Sequence, residues 1–180
     1  QLKEMLKEQN VSFTPLLLVQ ATDNDNIERI KKWALKAGFS NESISVHTAD
    51  EPDPYLETIA YDNNIEILIF KLAVATGFDI PRAFTLVSFR TNRDSDFGTQ
   101  IIGRIMRVHQ DLQGHIDSIP EQLKYGYVFL SNKDGQTGLV NAAQRINSIK
   151  DELAIVSGNI MVVPMTSTLS KIDITGQTEL

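Results

Sequence analysis

An α/β fold with a mainly parallel sheet, covered by helices on both faces, is the architecture this sequence predicts. Short, continuous apolar runs recur along the chain, of the kind that fit strands buried on both faces. Segments with apolar residues at helical spacing alternate with them, as crossover connections between parallel strands require. The 180 residues suit one ordinary domain, able to bury a continuous core between a sheet and its helices.

The elements follow in order. Residues 1–9 are charged and helix-prone, without the apolar core of a signal peptide. Pro15 introduces Leu16-Leu17-Leu18-Val19, the first expected strand. Asp23, Asn24 and Asp25 offer N-cap oxygens, and Ile27, Ile30, Trp33, Ala34 and Ala37 then recur at helical spacing until Gly38 ends the pattern. Residues 43–47 form a second strand, Glu51-Pro52-Asp53-Pro54 a turn, and residues 55–62 a helix. Residues 66–70 and 84–89 are two more buried strands around a loop, and Ile101, Ile102, Ile105 and Met106 place a helix over 99–108. A strand over 127–130, an amphipathic helix over 139–153 and a last strand over 160–163 before Pro164 complete the pattern. Trp33, Tyr55 and the other scattered aromatics are expected in the core or half-buried. No repeat, low-complexity run or linker divides the chain, so residues 1–180 read as a single domain, with a polar tail over 166–180 expected to fray.

Composition narrows the function. No apolar run is long enough to span a bilayer, so no membrane association is expected. There are no cysteines, which suits the cytoplasm and excludes thiolate metal sites, and His47, His109 and His115 are not at metal-ligand spacing, so no metal site is expected. The net charge of −6 argues against a generally basic nucleic-acid binder. Its distribution is uneven, however. Residues 71–109 hold six basic side chains (Lys71, Arg82, Arg90, Arg93, Arg104 and Arg107) against Asp79, Asp94 and Asp96, a balance of +3 that leaves −9 for the rest. Such an island suggests that one edge of the domain faces phosphate, although clusters of this size also form on solvated faces.

Two segments carry chemistry. Ala75-Thr76-Gly77-Phe78-Asp79-Ile80-Pro81-Arg82-Ala83 follows the strand that ends at Phe70. Gly77 lets the backbone turn or approach a ligand closely, Asp79 offers a carboxylate to hydroxyls, and Pro81 fixes the exit. Alone, this segment is equally compatible with a well-made turn. In Gln100-Ile101-Ile102-Gly103-Arg104-Ile105-Met106-Arg107, which Asp96 is placed to cap, the residues Gln100, Gly103, Arg104 and Arg107 sit three and four apart and share one helix face. Two arginines on adjacent turns repel unless an anion lies beside them, and Gly103 removes bulk where that anion would approach. A triphosphate suits this geometry, as an ordinary solvated arginine pair does also.

Together, in this order and separation, the two segments resemble motifs V and VI of superfamily 2 helicases. Residues 67–71 and 84–90 look like the flanking strands, and residues 15–21 resemble the motif IV strand, so the resemblance covers roughly residues 12–110. Phe70-Lys71-Leu72-Ala73 before the first segment makes the likeness greatest to the motor subunit of type III restriction enzymes. Gln100 stands where the RNA-handling DEAD-box pattern has histidine, and Lys71 where it usually has threonine. Both departures favour a DNA motor.

The resemblance implies a RecA-like three-layer sandwich: the C-terminal, second motor domain of an ATP-dependent DNA helicase or translocase, and a fragment of a longer protein, in keeping with Gln1 in place of an initiating Met. In that family ATP and Mg2+ lie between two RecA-like domains, held mainly by the first. Neither a phosphate-binding loop nor an acidic metal box occurs in this sequence, so the fragment is expected to be inactive alone and to hold no cofactor. The resemblance makes Arg104 and Arg107 arginine fingers on the γ-phosphate, with Gln100 linking the nucleotide to the first domain. It sets Gly77, Asp79 and Gly103 beside the ribose and phosphates. Lys71 and Thr76 are the expected contacts to the nucleic-acid backbone, with Gln20 and His47 as weaker candidates at strand ends. The implied partners are DNA, the missing N-terminal RecA-like domain in cis, and a modification or specificity subunit. A non-catalytic RecA-like binding or assembly module is the alternative, against which the intact Gln100, Gly103, Arg104 and Arg107 weigh.

Overall fold

The computed structural model describes residues 1–71, 80–90, 109–113 and 118–131, and the backbone of 159–164. Its centre is a six-stranded sheet in the order β2-β3-β1-β4-β5-β6. The strands are β1 (Leu16–Gln20), β2 (Ile44–His47), β3 (Ile67–Phe70), β4 (Ala83–Ser88), β5 (Tyr125–Leu130) and β6 (Asn159–Pro164). Every neighbouring pair is parallel. The α/β architecture expected from the alternation of apolar runs is therefore present. β3 is buried at every position, as its unbroken Ile-Leu-Ile-Phe run requires, whereas β5 alternates half-buried and buried residues.

The helices are α1 (Leu2–Glu8), α2 (Asn24–Lys36), α3 (Leu56–Ile59) and α4 (Gln110–Gln113). The Asp23 carboxylate caps α2 by accepting from Asn26 N at 2.7 Å. Gly38, at φ 98°, ends it: Phe39 N reaches Ala34 O at 3.1 Å and Gly38 N reaches Leu35 O at 3.1 Å. Those two bonds are the Schellman closure, which needs a left-handed residue. Asn10, at φ 56°, ends α1 the same way, with Val11 N bonded to Leu6 O. The expected helix over 55–62 contracts to the short α3, because Asp62 and Asn64 form a local turn in which Asn64 N donates to Asp62 Oδ1 at 2.9 Å.

Two clusters make the core. On one face of the sheet Ile27, Ile30 and Ala34 of α2 pack on Val19, Ile67 and Ile69. Elsewhere Leu6 of α1 meets Phe13, Phe84, Leu112, Ile119 and Leu123. Three aromatics depart from the expected burial. Tyr55 is 70% exposed, Tyr61 72% and Trp33 48%, the last because the apolar stripe of α2 is completed by Ile27, Ile30 and Ala34 without the indole. The helices expected over 99–108 and 139–153 and the tail 166–180 lie outside the described residues.

Arg82 also differs from its reading as part of a basic edge. It is 1% exposed and among the described residues bonds only carbonyl oxygens: Nε to Ile59 and Ala60, Nη1 to Thr14 and Ile65, and Nη2 again to Ile59. The guanidinium ties the entry of β1, the end of α3 and the entry of β3 at the amino edge of the sheet. Burial pushes its pKa down to about 10, partly offset by Asp62 and Glu66. It is a structural clamp inside the fold and adds nothing to the phosphate-facing surface.

Candidate functional site

In open parallel sheets, ligands collect beyond the carboxyl ends of the strands, where the chain reverses direction through the sheet order. Here the chain leaves the central β1 for β2 on one side and comes back to β4 on the other, so the crevice is expected beyond β1. A cleft of about 270 Å³ lies there. Its walls are Ala21 and Thr22 after β1, Ala49 and Asp50 after β2, Lys71 after β3 and Arg90 after β4. A shallower depression of about 200 Å³ adjoins it across Asp50, against Asn24, Ile27 and Lys31 of α2.

Lys71 is held at both ends. Its carbonyl accepts from Gln20 Nε2 at 3.2 Å, and its ammonium donates to Asn24 Oδ1 at 3.0 Å and to Asp50 Oδ2 at 3.1 Å. The lysine is 20% exposed and Asp50 79%, so this ion pair stands in contact with solvent and is weak enough for a competing anion to displace. Asn24, in the first turn of α2, thus serves Lys71 while Asp23 caps the helix. Thr22 donates its hydroxyl to Asp23 Oδ2 at 2.6 Å, and its N–H goes to Asn26 Oδ1 at 3.2 Å. The hydroxyl first, then the Asn26 N–H, holds the Asp23 carboxyl below its usual range.

Gln20 and His47 prove to be framework. Gln20 is 3% exposed, and its amide oxygen accepts from Ser88 Oγ at 2.8 Å while its nitrogen holds Lys71. His47 is buried, with Nδ1 accepting from Asp53 N at 3.0 Å; Asp53 in turn takes the Ser45 hydroxyl and caps Tyr55 N. Neither side chain is placed to meet a nucleic-acid backbone. What each does is fix the loop that carries a wall of the cleft.

Of the sequence-derived site residues, Lys71 lies in the cleft, and Thr76, Gly77, Asp79, Gln100, Gly103, Arg104 and Arg107 lie outside the described residues. Asp50 and Asn24 were not singled out as site residues. Their signal was position alone, a polar residue directly after an expected strand and one in the first turn of an expected helix. Among the described residues no group of three or more His, Asp or Glu is placed to hold a metal ion, and no helix is long and apolar enough to cross a membrane.

No protein-family model matches this sequence, and no curated protein matches it. Solved structures are similar to it. The C-terminal domain of the DEAD-box protein Dbp5 is similar with a TM-score of 0.50 at 14% identity, over 89% of this chain and 81% of that one. For the S. cerevisiae Dbp5 C-terminal domain bound to Gle1 and IP6 the TM-score is 0.45 at 14% identity, over 89% and 80%. The C-terminal part of the Fun30 ATPase domain gives 0.45 at 14%, over 61% of this chain and 34% of that one, so this chain spans about a third of the Fun30 chain it matches. At such identity the likeness is one of fold: the chain has the RecA-like α/β fold of the Dbp5 C-terminal domain.

Proposed function

We propose that this domain is the second motor half of an ATP-dependent nucleic-acid translocase of helicase superfamily 2, with DNA as its track and a type III restriction motor as its nearest kind. The observation that carries the reading is the carboxyl-edge cleft, where Lys71 and Arg90 stand beyond β3 and β4, the two strands that flank β1, with Thr22 after β1 between them. Two cations on a rim fixed by buried hydrogen bonds, one of them paired with an exposed and displaceable Asp50, suit a phosphodiester backbone, which is gripped without being read. The motif from Gln100 to Arg107 supports the nucleotide half of the proposal. In it Arg104 and Arg107 stabilise charge on the γ-phosphate of ATP bound with Mg2+ by a preceding RecA-like domain, while Gly77, Asp79 and Gly103 line the near side. An arginine finger is worth about a thousandfold or more in rate, because its fork meets phosphate in a water-poor site.

The test joins this domain to the segment that precedes it in the full-length protein and measures ATP hydrolysis with and without DNA. DNA-stimulated turnover that Arg107→Ala abolishes, with the thermal transition unchanged, supports the reading. Wild-type turnover in Arg107→Ala would overturn the finger assignment, and an absence of ATPase in the joined protein would favour a non-catalytic RecA-like module.

A further inference from the structure

The face of α2 that turns away from the core has a composition the motor reading does not use. Arg29, Lys32, Trp33 and Lys36 fall three and four apart along the helix, and all four are exposed. The chain is acidic overall, at −6, yet this stripe gathers three cations around one indole. Asp25 closes it at the amino end, and the neighbouring Glu28 is engaged by Lys31 at 2.9 Å. Among the described residues no carboxylate comes within ion-pairing distance of Arg29, Lys32 or Lys36.

The indole is fixed as well as exposed. The Arg29 guanidinium sits 5.2 Å from the Trp33 ring centroid, and the half-buried Phe89 packs on it with centroids 6.0 Å apart at 39°. Phe89 directly precedes Arg90, a wall of the carboxyl-edge cleft. With 48% of its surface in water, Trp33 presents a flat apolar plate between cations. Leu35 of the same helix is also exposed, but a groove for a protein partner would carry more apolar anchors than these two and few lysines. Cations flanking a preset aromatic ring are instead what an unpaired strand recognises, with phosphates on the charges and a base on the ring.

We propose that this face of α2, formed by Arg29, Lys32, Trp33 and Lys36 with Phe89 behind the indole, binds single-stranded nucleic acid through a base stacked on Trp33. The inference deepens the motor reading by naming the form of the track, and it rests on that reading only for its place in a cycle. Binding needs no ATP, so the outcome is separable from the fate of the ATPase assignment.

Trp33 is the one tryptophan in the chain, so intrinsic tryptophan emission reports this position alone. Oligothymidylate titrated into the 180-residue protein at low salt is expected to quench that emission in step with the rise in its own fluorescence anisotropy. Duplex of equal length should quench far less, since its bases are already stacked. Trp33→Ala should weaken oligothymidylate binding about tenfold with an unchanged circular dichroism spectrum, and Trp33→Phe should recover most of it. Replacing Arg29, Lys32 and Lys36 together by Gln should reduce the slope of log K against log salt by about two. Binding without quenching, or Trp33→Ala binding as tightly as wild type, would overturn the proposal. So would polyglutamate competing as well as oligothymidylate, which would point to an acidic protein partner. Absence of any binding at low salt would overturn it equally.

Discussion

Ser88 Oγ donates to Gln20 Oε1 at 2.8 Å inside the sheet, joining the carboxyl ends of β4 and β1 where the cleft begins. Both residues are buried, Ser88 at 0% and Gln20 at 3%, and the same amide holds the Lys71 carbonyl while the Ser88 hydroxyl accepts from Arg90 N at 3.3 Å. One side-chain pair therefore sets the backbone from which both cleft cations project. Ser88→Ala leaves a buried amide oxygen unpaired, so we expect a loss of about 1–3 kcal/mol in urea unfolding. If the pair aligns the cleft, the variant should also bind nucleic acid more weakly at temperatures where it remains folded. Unchanged affinity would mean that the cations keep their places without it.

Arg82 is the opposite case, a charge used wholly for structure. Five hydrogen bonds carry it to four carbonyl oxygens, with no carboxylate of the described residues in direct contact. Arg82→Met removes every donor and strips a partner from four carbonyl oxygens, so at about 1–3 kcal/mol for each buried group left unsatisfied it should cost about 3 kcal/mol or more. Arg82→Lys restores a charge but only three donors on a narrower head, and should recover less than half of that loss. Urea midpoints of the two variants against wild type decide the matter. A Lys variant as stable as wild type would show that charge matters here and the fork does not.

These two residues show what the sequence made legible. The apolar runs at 16–19 and 67–70 located central strands because a strand buried on both faces favours unbroken hydrophobicity, and 84–89 was legible from Phe84, Leu86 and Val87 despite Thr85 and Ser88. Gly38 located the end of α2 because only a left-handed residue closes that helix. The position of Lys71 was legible, since a charge at the carboxyl end of a buried strand has the loop edge as its natural outlet, and there it lines the cleft. Arg82 was not legible as a clamp. Its role depends on the carbonyls of residues 14, 59, 60 and 65 converging in space, which no local pattern encodes. Trp33 was misjudged for a related reason: helical spacing placed it at the margin of the apolar stripe, and only the packed sheet decides which side of that margin is buried.

Lys71 and Asp50 allow a test in two directions. Their contact, at 3.1 Å between a lysine 20% exposed and an aspartate 79% exposed, contributes little to stability. Lys71→Gln should leave unfolding within about 0.5 kcal/mol of wild type. It should nevertheless weaken nucleic-acid binding and lower the salt slope by about one phosphate contact. Asp50→Asn removes the competitor for the ammonium and should tighten binding. Equilibrium binding across a salt series measures both. An Asp50→Asn protein that binds more weakly would show that the carboxylate positions the lysine and does not compete with the phosphate.

His109 gives the fold a pH dependence whose sign can be worked out. Its ring packs on Phe13 with centroids 3.9 Å apart, and its Nδ1 accepts from Asp111 N at 3.3 Å. Burial lowers its pKa below the ordinary 6.5, with Arg82 adding to the effect and Asp111 opposing it. The unfolded chain therefore takes up a proton near pH 6.5 that the folded protein still refuses. The resulting stability is complete above that pH and is lost as pH falls from there toward the folded value. The slope from this one residue cannot exceed about 1.4 kcal/mol per pH unit. Urea unfolding of wild type and His109→Phe, compared between about pH 7.5 and about pH 5.5, isolates it, because carboxylate contributions are common to both proteins. Wild type should lose more stability than the variant over that interval. Parallel losses in the two proteins would place the titrating group elsewhere.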